Sequence, residues 1–184
     1  MSFFGKLFGG EKKIGPTTTE DFVDLLTPHF CGIRYSLEYQ NILEHAFDKK
    51  AAIAELLLFR AWATQFGFRL FCKNKSLSER VVFEIVNQTK VIGQELLRSV
   101  FEVNIGSIYP HGFMTTLQLR WEEYDEIYIR NANSHDPIVA DLLCEELMVH
   151  CLFVDRSTLP LLVEKYIRQL GVIKMEADRL NSLQ

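Results

Sequence analysis

The chain has 184 residues, enough for one domain with a full hydrophobic core, and its 48% apolar and 24% charged content excludes wholesale disorder. Its 24 acidic residues outnumber 20 basic ones for a formal charge of -4, so no whole-protein field draws a polyanion and no nucleic-acid partner is expected. Fourteen phenylalanines and four cysteines without a CxxC pair point to a large core holding reduced thiols, as in a cytoplasmic protein.

Residues 1–16, MSFFGKLFGGEKKIGP, read as a flexible amphipathic segment ahead of a helical domain over 17–184. Phe3, Phe4, Leu7 and Phe8 gather on one side of a short helix with Lys6 on its flank, the grammar of a weak membrane-surface or partner anchor. The bland alternative folds these side chains onto the protein's own surface. Gly5, Gly9 and Gly10 break the apolar run, so it suits neither a signal peptide nor a span. Thr19 caps a short helix that Pro28 stops, and a second amphipathic segment over 36–49 buries Leu37, Ile42, Leu43, Ala46 and Phe47.

The stretch 51–72, AAIAELLLFRAWATQFGFRLFC, is the helix around which the rest is organised. At about 100° per residue, Glu55, Arg60, Gln65 and Arg69 fall near roughly 0, 140, 280 and 320°, so no broad polar face exists and the helix is expected to be buried. Its ionisable groups, each costing a few kcal/mol at mid-bilayer, argue against a membrane span.

An amphipathic helix follows, starting at Ser76 or Ser78 and reaching about Val103, with Gly93 as the expected point of close crossing. A turn-rich connector over 104–112 leads to a helix over about 113–130. Met114, Leu117, Trp121, Tyr124 and Tyr128 line one face of it, while Glu122, Glu123, Asp125 and Glu126 read as a solvated acidic side. Asp136-Pro137 starts a largely buried helix, and Ser157 is the expected cap of the last one, which Gly171 ends or bends. With no repeat and no strand pair, the fold class is all-α: a single-domain bundle of six or seven helices around the buried 51–72 helix.

Chemistry is sparse. Cys144 and Cys151 lie roughly 10 Å apart along a helix and cannot share one ion. Glu146 and His150 are four apart and can share one, yet no second Glu-x-x-His or His-Glu-x-x-His element completes a site, so no metal or cofactor is expected. There is no Gly-x-Ser-x-Gly elbow and no phosphate-cradling loop. The connectors offer a candidate polar site of Tyr109, His111, Arg130, Asn133 and His135. Arg60, if buried, requires a carboxylate or carbonyl partners.

These features favour a non-enzymatic interaction or adaptor module that meets a protein partner or a second copy through the Met114, Leu117, Trp121, Tyr124, Tyr128 face, with peripheral membrane contact through the N-terminus as an added possibility. The first alternative is a helical container for a small apolar ligand or cofactor, lined by Phe59, Trp62 and Phe66 together with Trp121. The second is an enzyme with its site on the 104–112 or 130–136 loop.

Overall fold

The computed structural model describes residues 43–101, 108–109, 111–131, 138–153 and 155–182, and these form an all-α arrangement without strands. The N-terminal segment with Phe3, Phe4, Leu7 and Phe8, the helix expected after Thr19, the first part of the segment expected over 36–49, the Asp136-Pro137 start signal, and Asn133 and His135 lie outside the described residues. The rest of the 36–49 segment is corrected, since 44–48 is turn and bend around an isolated bridge at Ala46, and Phe47 is 83% exposed and not buried.

Helix α1 (Lys49–Phe71) begins where Asp48 takes an extended conformation and its carboxylate accepts the amides of Lys50 and Ala51 at 2.9 and 3.2 Å. That cap satisfies two of the amides a helix start leaves open, so α1 is a new helix and not a continuation of the preceding segment. Beyond it come α2 (Lys75–Phe101), α3 (Phe113–Asn131), α4 (Ile138–His150), a 3-10 turn (Arg156–Thr158) and α5 (Leu159–Ser182). Helix α1 packs against all four of the others, as expected of a helix that is apolar nearly all round. No described helix is long and apolar enough to cross a membrane.

The core has an aromatic centre. Phe59, Trp62, Tyr124 and Tyr166 are buried together with Leu143, Leu147 and Leu162, and burying each large apolar side chain contributes about 1.5–3 kcal/mol. The other end of α1 is mostly aliphatic: Leu77, Val81, Ile173, Ala177 and Leu180 form a separate cluster with Phe68 and Cys72 between α1, α2 and α5. Here α1 and α5 approach so closely that a Cβ on Gly67 would stand 2.7 Å from Ile173 Cγ2. At Gly67 a described crossing depends on a missing side chain; the packing around Gly93, the expected crossing point, lies outside the described residues. Asn181 ties the same end together, its amide donating to the Phe71 carbonyl at 3.1 Å and its side-chain oxygen accepting from the Lys73 amide at 2.9 Å.

Two further local expectations are corrected. The last helix is introduced by Asp155 and not Ser157, because the Asp155 carboxylate accepts both the Ser157 amide (2.8 Å) and the Ser157 hydroxyl (2.6 Å) and starts the 3-10 turn first. Gly171 neither ends nor interrupts α5, which continues to Ser182. Cys72, Cys144 and Cys151 are free and buried, and burial pushes the Cys144 thiol up to about 12, with Asp141 adding to the shift.

Candidate functional site

A run of charge crosses the bundle from α1 through α3 to α4. It starts at Glu55, which α1 buries almost completely. A buried carboxylate needs a partner, and Arg120 on α3 supplies a two-pronged one: its Nε donates to Oε2 at 2.8 Å and its Nη2 to Oε1 at 3.2 Å. Burial by itself pulls the Arg120 pKa down, but the hydrogen bonds and charge of Glu55, then of Glu123, reverse this and raise it, so the guanidinium stays charged. Arg120 Nη1 also donates to Glu123 Oε2 at 3.1 Å.

Glu123 in turn meets α4. His150 Nε2 stands 3.0 Å from Glu123 Oε2 and 3.2 Å from Glu146 Oε1. The His150 side chain is only 13% exposed, whereas both carboxylates reach water. Neither close approach is a hydrogen bond, since the Nε2 direction is aligned with neither oxygen. Tyr124 stands edge-on to His150 with ring centroids 6.2 Å apart, and its buried hydroxyl has no hydrogen-bond partner among the described residues. Burial, then the charges of Cys151 and Glu55, hold the Tyr124 phenol well above its usual range.

The acidic run on α3 is therefore not simply a solvated side. Besides Glu123, Asp125 accepts the indole N–H of the fully buried Trp62 at 2.7 Å. Glu122 and Glu126 do face solvent, where they meet Gln118 and Arg130. In the sequence Arg120 does not stand out, and Glu123 reads only as part of the solvated acidic side. The signal for them was Glu55, a carboxylate in an otherwise apolar helix that had to be matched by a cation elsewhere.

The aromatic stripe of α3 turns inward. Leu117 and Tyr124 are buried in the chain's own core and Trp121 and Tyr128 are half-buried, leaving Met114 as the exposed member. As a docking face the stripe is already used, because α3 needs it to pack on α1. Phe59, Trp62 and Phe66 likewise pack ring to ring: Phe59 meets Tyr124 at 5.0 Å, Trp62 stacks on Phe66 at 5.2 Å, and Phe66 meets Tyr128 at 4.4 Å. They fill the centre and line neither of two surface clefts, one of about 480 Å³ between α3 and α4 and one of about 720 Å³ between α4 and α5. Of the polar-loop residues, Tyr109 is buried, His111 is exposed, and Arg130 pairs with Glu126 at the lip of the first cleft.

An apolar patch lies where α4 ends. The Phe47 amide donates to the Leu152 carbonyl at 3.3 Å and Ala46 bridges Phe153, which brings the start of the described chain against the α4 terminus. Phe47 is 83% exposed, Val149 65% and Leu152 52%. Leu152 has a φ of 53°, in the left-handed region. The amides of Leu152 and Phe153 donate to the carbonyls of Val149 and Met148 at 3.2 and 3.1 Å, the paired bonds of a Schellman helix end in which Leu152 occupies the position that favours glycine. No family model, curated protein or solved structure matches this chain.

Proposed function

We propose that this domain is a non-enzymatic interaction module that docks a protein partner on the patch of Phe47, Val149 and Leu152, a second copy of the chain being the first partner to test. The single observation that carries this reading is Leu152. A leucine in the left-handed region costs about 1–2 kcal/mol that a glycine avoids, and the helix would end equally well without the side chain. The apolar contact that usually accompanies such a helix end falls to the next residue, Phe153, which is packed against the core. The Leu152 side chain instead is half exposed, on backbone that is hydrogen-bonded to Phe47 and to Val149, both exposed as well. Strain kept at an exposed apolar residue supports a use outside the fold.

The test is photo-crosslinking inside the cells that make the protein, with a benzophenone amino acid at position 152 or at position 47 and, as a control, at Arg168, which is exposed on α5. A discrete adduct from position 152 and none from 168 is expected, and an adduct of twice the chain mass identifies self-association. Equal labelling from positions 152 and 168, or none from position 152 or from position 47, overturns the reading.

A further inference from the structure

We propose that Glu123, Glu146 and His150 bind a divalent first-row transition cation, of the Zn²⁺ or Mn²⁺ type, that clamps α3 to α4. The donor atoms come from two helices and all lie within 4.8 Å of one another. Glu146 and His150 are one turn apart on α4 and so share a face, and the inward rotation of α3 carries Glu123 to them.

The distances around His150 are compatible with a shared ion as well as with an ion pair, and the missing hydrogen bond favours the ion. For ligands about 2.1 Å from a shared cation, N···O separations of 3.0 and 3.2 Å correspond to angles of about 90–100° at the metal. In an imidazolium salt bridge the N–H points along one N···O line. Here Nε2 is buried and hydrogen-bonded to neither oxygen, as an ion shared between the nitrogen and the two carboxylates would leave it.

The surroundings support the same occupant. Two carboxylates with a neutral imidazole carry a charge of about -2, suited to a divalent ion, and the imidazole favours transition cations over Mg²⁺ or Ca²⁺. Arg120 Nη1 holds the Glu123 carboxylate in place through Oε2, the oxygen that also faces His150, and Glu55 cancels the charge that Arg120 brings. Tyr124, whose fully buried hydroxyl has no hydrogen-bond partner among the described residues, stands with its ring edge-on to His150. The half-exposed carboxylates leave an entry from solvent, and water would complete the coordination. This inference rests on the charged run and not on the docking patch.

Zn²⁺ is titrated into chelator-stripped full-length chain at neutral pH against a chromophoric competitor, with Mg²⁺ as the control ion. One Zn²⁺ per chain is expected, with affinity at least about tenfold weaker in His150→Ala and in Glu123→Gln, each first shown by circular dichroism to keep its helix content. Unchanged affinity and stoichiometry in both variants, or no binding by the parent chain, overturns the proposal. Should either variant lose its fold, Co²⁺ bound to the parent chain decides: a visible ligand-field spectrum without a thiolate charge-transfer band is expected, and a thiolate band would place the ion on cysteine and sink the site.

Discussion

The two halves of α1 come from one continuous apolar sequence, yet they are held by different physics. The first half carries Glu55 into directional hydrogen bonds through Arg120 to Glu123, which lies against His150 and Glu146. The second crosses α5 through a dry aliphatic contact at Gly67 and Ile173. Apolar contact rewards closeness from many angles, whereas a two-pronged guanidinium–carboxylate bond is satisfied in one rotation of α3 about α1. The polar half therefore sets helix register and the dry half supplies close packing.

The largest effect should come from breaking the polar half. Arg120→Met leaves Glu55 buried without its cation and is expected to cost about 3–5 kcal/mol in urea unfolding. Replacing Glu55→Leu in the same chain should recover most of that loss, and a double variant as unstable as the single would show that the pair does not act as a unit. The dry half is tested by Gly67→Ala. A gain of about 1 kcal/mol in helix propensity should be outweighed by about 1–3 kcal/mol of overpacking against the stiff, buried Ile173, for a net loss in the same assay. Adding Ile173→Ala should give a double variant less damaged than the sum of the two singles.

At the end of the polar half, Leu152→Gly is expected to raise stability by about 0.5–1 kcal/mol while abolishing the crosslinked adduct, measured from position 47. A fall in both stability and association would mean that the leucine serves the fold. The smallest effect is in the thiols. The Cys144 pKa rises from 9.0 to about 12 on folding, so its contribution is complete below about pH 9 and declines as pH climbs from 9 towards 12. Cys144→Ala should flatten the stability curve over that alkaline range. Maleimide labelling of Cys144 and Cys151 at pH 8, read by peptide mapping, should proceed no faster than global unfolding.

The helices themselves were legible in the sequence because the signals for them are local. The central helix expected over 51–72 is Lys49–Phe71, that from Ser76 or Ser78 to about Val103 is Lys75–Phe101, and that over 113–130 is Phe113–Asn131. A 3.6-residue apolar period, and a terminus marked by a residue such as Asp48, act within a few turns of chain. The site was less legible. Glu146 and His150 could be paired by spacing, but Glu123 was hidden in an acidic run because its role depends on which way α3 turns against α4. The same reason buried the Leu117 and Tyr124 face that looked available for a partner, and filled the space between Phe59, Trp62 and Phe66 with tyrosine rings.

The sequence by itself determined the all-α class, the burial of the central helix and where the described helices run, since periodicity and capping are properties of neighbouring residues. Only the tertiary structure decided that Gly67 is a crossing point, that Leu152 sits in a glycine's conformation and that three ligand-type side chains converge. Each of these depends on contacts or turn geometry that no helical period specifies.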